Sequence, residues 1–457
     1  MRKALILLAV TTLTTALLTA LYACDGDGGT GPGPGNVYYV ATDGDDNNPG
    51  TEAQPWRTIT KAANTLVAGD TAYIKAGTYN ERVIPQKSGT AGNYITYAAY
   101  DGAVVTVDGT GINLPNDWGG LFDVSGRSYI KVSGLRITNA GPNDNNVGIL
   151  VDNSSYVTIE KNYTYNTVSS GIAVWDSNNI TLDGNEVVLA CNDGEQECIT
   201  VAGTNGFEIK NNRVHDGGPG SIGGEGIDAK DGSKNGKIYG NHVYEVNRLG
   251  IYIDAWDKDT GNIEAYRNKV HDCAGDGFTL AAEAGGRLHD IEVYNNLVYD
   301  NDDCGIGIYD YGETGVTTHP IEDVLIINNT FYNNGSNGWG GGVVIDNNDA
   351  KDVVIRNNIC SDNLSFQIAI EKGVLSEITV DHNLIDGFRG YTGETRGTDF
   401  VEGDPNFVDQ ASRDFHLQGG SPAIDAGSSD GAPNKDYDGN SRPQGAAYDI
   451  GAYEYQG

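Results

Sequence analysis

Gly226-Ile227-Asp228-Ala229-Lys230 alternates apolar and polar side chains with a period of two. That alternation marks a β-strand with one buried face. Comparable strands begin near Gly171, Gly250, Gly277, Gly305 and Gly342. A second marker recurs in step with them, an Asn followed by an apolar pair or near-pair. It stands at Asn162, Asn185, Asn212, Asn241, Asn268, Asn296, Asn329, Asn358 and Asn383, at intervals of 23 to 33 residues. A period in this range indicates a solenoid. One strand per repeat cannot bury its apolar face alone, so the repeats must stack. Asn suits a turn whose side chain bonds the backbone of the neighbouring coil. The expected fold is all-β, a right-handed parallel β-helix of about ten coils.

Outward from the repeats, Trp56 to Val67 has helical spacing of apolar residues and Gly69-Asp70 follows it. A helix there would cap the open N-terminal end of the core. The chain divides as 1–23 signal peptide, 24–36 tether, 37–400 β-helix and 401–457 C-terminal tail. Arg2 and Lys3 precede an apolar run from Ala4 to Leu21, the pattern of a signal peptide. Leu21-Tyr22-Ala23-Cys24 resembles the bacterial lipobox, which implies acylation of Cys24 and anchoring to a membrane at the cell envelope. Asp25 to Asn36 is rich in Gly, Asp and Pro, as a flexible tether would be. Five cysteines follow Cys24. Cys191 could pair with Cys198, and Cys273 with Cys304, in an oxidising compartment. Cys360 falls at an inward position as a plain buried thiol.

The chain has 29 Lys plus Arg against 63 Asp plus Glu, a net charge of −34. So acidic a surface excludes nucleic acid as partner, since phosphate binding needs a basic footprint. It also repels polyanionic sugars unless cations intervene. The expected partner is a polysaccharide, met by a monomer.

Aligning the Gly-led strands gives two outward rows. One reads Ala173, Thr200, Asp228, Tyr252, Thr279, Gly307 and the other Trp175, Ala202, Lys230, Asp254, Ala281, Tyr309. At one coil per strand spacing the second row runs about 24 Å. Its centre is charged: Glu225, Asp228, Lys230, Asp231, Asp254, Asp257 and Lys258. Trp175, Tyr252, Trp256 and Tyr309 flank that centre, and aromatic faces suit sugar rings. These four are the expected substrate-binding residues.

Both ends resemble exported parallel β-helix carbohydrate enzymes. The resemblance rests on Asn48-Pro49-Gly50-Thr51, Gln54-Pro55-Trp56, Gly69-Asp70-Thr71 and Gly77-Thr78-Tyr79 near the start. Ser421-Pro422-Ala423-Ile424-Asp425 and Asp449-Ile450-Gly451-Ala452-Tyr453 carry it near the end. Glu225 to Lys230, followed by Asn235, resembles the chondroitinase-B-like alginate lyases. That resemblance implies a calcium-binding Glu at Glu225 and a Brønsted base at Lys230. The family's second Glu position is Gly223 here, and Arg248 is the nearest candidate for its Arg. Calcium-dependent pectate lyases, which set an Asp cluster beside a Lys, share these residue types. The implied reaction is β-elimination on a uronate polymer. Lys230, Arg248, Asp228 and Asp254 are the catalytic candidates, and Glu225, Asp228, Asp231, Asp254 and Asp257 the calcium ligands.

Calcium would neutralise the uronate carboxylate and acidify the proton beside it. Asp and Glu supply the oxygen ligands it takes. The base must be neutral, yet Asp228 and Asp254 beside Lys230 would raise its pKa. Lys230 and Asp254 could equally form a salt bridge between adjacent coils. A hydrolase using Asp228 and Asp254, with Cβ atoms about 8 Å apart, is the alternative enzyme. A glycan-binding surface protein without catalysis is the other.

Overall fold

The computed structural model describes residues 35–457, apart from 194, 220–222 and 313–314. The signal peptide, Cys24 and nearly all of the tether lie outside the described residues. Parallel strands stack into three long sheets. Sheet one has thirteen strands, from Val37–Val40 to Ile378–Asp381, and sheet two thirteen, from Gly77–Tyr79 to Val401–Glu402. Sheet three has ten, from Gly119–Asp123 to Phe366–Ile370, in keeping with about ten complete coils.

Each full coil runs from sheet one through a two-residue turn to sheet two, then by loops through sheet three and back. The turn explains the Asn marker. Its first residue has a left-handed backbone, as at Lys161, Asn211, Arg267 and Asn295. The ladder Asn comes second. Asn268 is typical: its Nδ2 donates to Ile238 O at 2.9 Å and to Asn296 Oδ1 at 3.0 Å. Its own Oδ1 accepts from the backbone N–H of Asn241 at 3.1 Å and from Asn241 Nδ2 at 3.0 Å. The pattern repeats from Asn162 to Asn383, so buried turn groups that would otherwise be orphaned are satisfied. Inside, Val, Ile, Leu and Phe from successive coils form one continuous core.

The cap helix is present but shorter than its apolar pattern, Ile59–Thr65. Asp46 takes the backbone N–H groups of Arg57 and Thr58, which holds that stretch outside the helix. The Thr58 side chain then caps it by accepting from Lys61 N–H. Helix residues Ile59, Ala62 and Ala63 bury against the first coils. Cys191, Cys198, Cys273, Cys304 and Cys360 are all buried free thiols. Neither expected cysteine pair is bridged. The tail folds back along the helix, where buried Arg442 donates to Glu454 at 3.0 Å and to Gly451 O at 2.7 Å. Among the described residues no helix is long and apolar enough to cross a membrane.

Candidate functional site

The strand registers join the two outward rows of sheet three. Ala173 pairs with Thr200, Thr200 with Asp228, Asp228 with Tyr252, and Tyr252 with Thr279. Trp175 pairs with Ala202 and Ala202 with Lys230. The ladder between the Lys230 and Asp254 strands ends at Ala229–Ile253. Lys230 therefore leans back toward the preceding coil, and its ion-pair partners are Glu197 at 2.5 Å and Asp228 at 3.5 Å. The alternative of a Lys230–Asp254 bridge does not form, and Lys230 pairs with Glu197 instead.

These residues line a cleft of about 530 Å³ with Trp175, Glu195, Gln196, Asp231, Arg248, Leu249, Trp256 and Tyr311 on its walls. Glu225 holds Arg248 at 3.0 Å. Glu197 also accepts from Thr200 Oγ1 at 2.8 Å. Tyr252 donates its hydroxyl to Glu283. Of the expected residues, Lys230, Arg248, Asp228, Asp254, Glu225, Asp231, Trp175, Tyr252 and Trp256 come together here. Tyr309 and Asp257 do not. The Tyr309 ring lies back over Gly307, where any added Cβ would strike it, and is 7% exposed. Tyr311 stacks on Tyr309 with centroids 4.8 Å apart and reaches the cleft in its place. Asp257 sits on the exposed turn beyond Trp256. Sequence reading missed Glu195 and Glu197. Cys198 occupies the position that Gly holds in most other coils, so the strand marker was absent just where Glu197 precedes it.

Seven carboxylates line the cleft against two cations, Lys230 and Arg248. Burial pushes Asp228 and Asp254 well above the ordinary carboxylate range, and each is raised further by the other acids. Burial also lifts Glu225 to about 7, with Glu197 adding to it. Burial lowers the Lys230 ammonium, but Glu197, Asp228 and Asp254 outweigh it and hold that pKa above normal. Both oxygens of Asp228, and one each of Asp231 and Asp254, are buried without a hydrogen-bond partner. Asp228 Oδ2 still feels Lys230 at 3.5 Å, a charge contact longer than a hydrogen bond.

Unpartnered carboxylate oxygens are what calcium takes, so the donor set fits it in kind. In number it falls short: among the described residues no three His, Cys, Asp or Glu side chains converge to hold a metal. Substrate and water oxygens would have to complete the shell.

With this geometry in view, the comparisons with known proteins separate fold from chemistry. A family model described as "Pel9A-like, right handed beta helix region" matches residues 38–193, and "Right handed beta helix region" matches 147–320. A further model, "Disaggregatase related", matches 288–390. The crystal structure of pectate lyase Pel9A aligns over 93% of this chain and 98% of its own, at 20% identity and a TM-score of 0.56. The fold is a pectate-lyase-like right-handed β-helix. A complex of XylC with xylose aligns over 92% of this chain and 99% of its own, at 14% identity and a TM-score of 0.61. Among curated proteins, YwoF of Bacillus subtilis (strain 168), itself uncharacterised, is 28% identical over 93% of this chain and 99% of its own length. Pectate lyase PEL9 of Emericella nidulans is 29% identical over 157 residues, covering 32% of this chain and 37% of that protein. The Pel9A-like match stops at residue 193, before Glu195, so of the cleft residues it reaches only Trp175.

Proposed function

We propose that this chain is an exported polysaccharide lyase, held to the cell envelope through Cys24, that cleaves a uronate-containing polymer by β-elimination in the Lys230 cleft. The observation that carries this reading is a single lysine, 17% exposed, at the centre of an open, aromatic-walled, carboxylate-rich cleft. Lys230 removes the proton beside the uronate carboxylate. The electron pair becomes a ring double bond, and the glycosidic C–O bond breaks. Asp254, whose burial favours the protonated carboxyl, supplies the proton that the leaving oxygen needs. Arg248 and the walls at Trp175 and Trp256 position the chain. Lys230 must first give up its own proton, and Asp228, 3.5 Å away and raised by burial, is placed to take it. Calcium, when bound, would supply the positive charge that lets a polyanion enter and that acidifies the proton. Asp231, with an unpartnered buried oxygen, would hold it, with substrate and water oxygens completing the shell.

The raised pair Asp228 and Asp254 supports a second reading, an inverting hydrolase with one carboxyl as acid and the other as base. One assay separates the two. Purified protein is given pectate, alginate and neutral glycans, with and without chelator. The lyase gives the ultraviolet absorbance of an unsaturated uronate, and both chelator and Lys230→Gln abolish it. New reducing ends without that absorbance establish the hydrolase instead. Turnover that survives both treatments rules out the calcium–lysine scheme.

A further inference from the structure

Two coils before Lys230, the outer surface of sheet three turns apolar. Val147, Leu150 and Ala173 form a buried cluster there, and Trp175 packs against it. Trp118, just ahead of the strand Gly119–Asp123, meets Trp175 with ring centroids 4.8 Å apart and planes tilted by 54°. Trp118 is 39% exposed. Two indoles thus cover an outward apolar patch, at a place where a solenoid ordinarily shows polar side chains to water. Trp175 Nε1 is buried without a hydrogen-bond partner, a donor with nothing to donate to. The same Trp175 forms the end wall of the Lys230 cleft, so patch and cleft are continuous.

The charges beside the pair are acidic. Asp117 and Asp176 adjoin the two tryptophans in sequence, and Asp152 is the register partner of Trp175. Arg82, a cation near this first strand, is taken up by Asp123 at 2.6 Å, and Arg127 beyond it donates to the carbonyls of Pro85 and Gly126. A uronate ring would meet the repulsion of these acids. An uncharged pyranose would lay its apolar face on the exposed indole surface. From Trp175 through Ala202 to Lys230 is two register steps, about 10 Å along the axis.

We infer that Trp118 and Trp175 form a distal platform for a neutral sugar unit, so that the substrate is a heteropolymer with neutral sugars a short way along the chain from its uronate. This rests on the lyase reading only for the identity of the central unit. The platform itself is read by binding. The full chain is titrated calorimetrically with xylohexaose as neutral probe and with hexagalacturonate as the all-uronate one. Trp118→Ala should weaken xylohexaose about tenfold and leave hexagalacturonate within a factor of about two, since one lost ring contact is worth about that. Trp118→Phe, which keeps an aromatic face, should keep most of the affinity and control for local misfolding. Unchanged xylohexaose affinity in Trp118→Ala overturns the platform, even if the chain proves to be an active lyase. Equal weakening for hexagalacturonate overturns the preference for a neutral ring. Trp118-dependent binding by a chain without eliminase activity upholds the platform and sinks the lyase instead.

Discussion

Replacing Lys230 by Ala should cost the protein stability as well as activity, and the cost should depend on pH. The ammonium lies 2.5 Å from Glu197 and 3.5 Å from Asp228, with side chains 17%, 8% and 1% exposed respectively. Removing one partner of a buried ion pair leaves uncompensated charge and typically costs about 3–5 kcal/mol. Here part of that is recovered, because Asp228 is already inclined to take a proton. About 3 kcal/mol at pH 8 is therefore expected. Without Lys230, whose charge lowers it, the folded-state pKa of Asp228 rises further above its unfolded value near 4. A carboxyl raised on folding contributes stability that is present at low pH and lost as pH rises through its folded pKa. The variant should thus approach wild type near pH 5 and fall away from it by pH 8. Urea unfolding of both proteins at the two pH values, followed by circular dichroism, measures this. An equal deficit at both pH values would mean that packing, not charge, is what Lys230 supplies. No deficit at all would refute the buried cluster. Lys230→Ala is consequently a poor probe of catalysis taken alone, and Lys230→Gln read alongside stability is the better one.

Asn268→Ala removes the four ladder bonds of one turn and leaves the buried backbone N–H of Asn241 without its partner. The loss should be about 4 kcal/mol in urea unfolding, and a loss under about 1 kcal/mol would mean that water or a shifted turn replaces the ladder. Asp276 is buried, accepts from Cys304 N–H at 2.7 Å and Thr279 Oγ1 at 3.0 Å, and is pushed up to about 7 by burial. Its contribution is fully present below pH 4 and lost as pH rises through 7, so Asp276→Asn should flatten the decline in stability between pH 5 and 8 by roughly 3 kcal/mol. Parallel pH profiles for the two proteins would show that Asp276 stays ionised.

The repeat was legible because it is written in two independent marks. Period-two alternation fixed which side chains face out, and the Asn interval fixed which coils align. The pairing of Thr200 with Asp228 and of Asp228 with Tyr252 follows from those marks alone. What escaped depends on side-chain direction and on loops. Tyr309 occupies its expected row, yet Gly307 leaves a hollow that its ring fills, so Tyr311 faces the cleft. A bridge from Lys230 to Asp254 on the next coil was one of two readings of the sequence. The ladder stops one residue short, and the lysine turns to Glu197, which stands on a loop that carries no periodic signal.

The Asn ladder allows one coil to differ in length from the next. Spacings along it range from 23 to 33 residues, yet every turn keeps the same bonds. The surplus collects in the two loops bordering sheet three, as between Tyr309 and Ile321 or between Tyr332 and Gly341. The first of these loops carries Tyr311, which lines the Lys230 cleft. A lengthened loop there alters the wall of the cleft while the spine behind it keeps its register. Variation in recognition and persistence of the scaffold are thus assigned to different edges of the same coil.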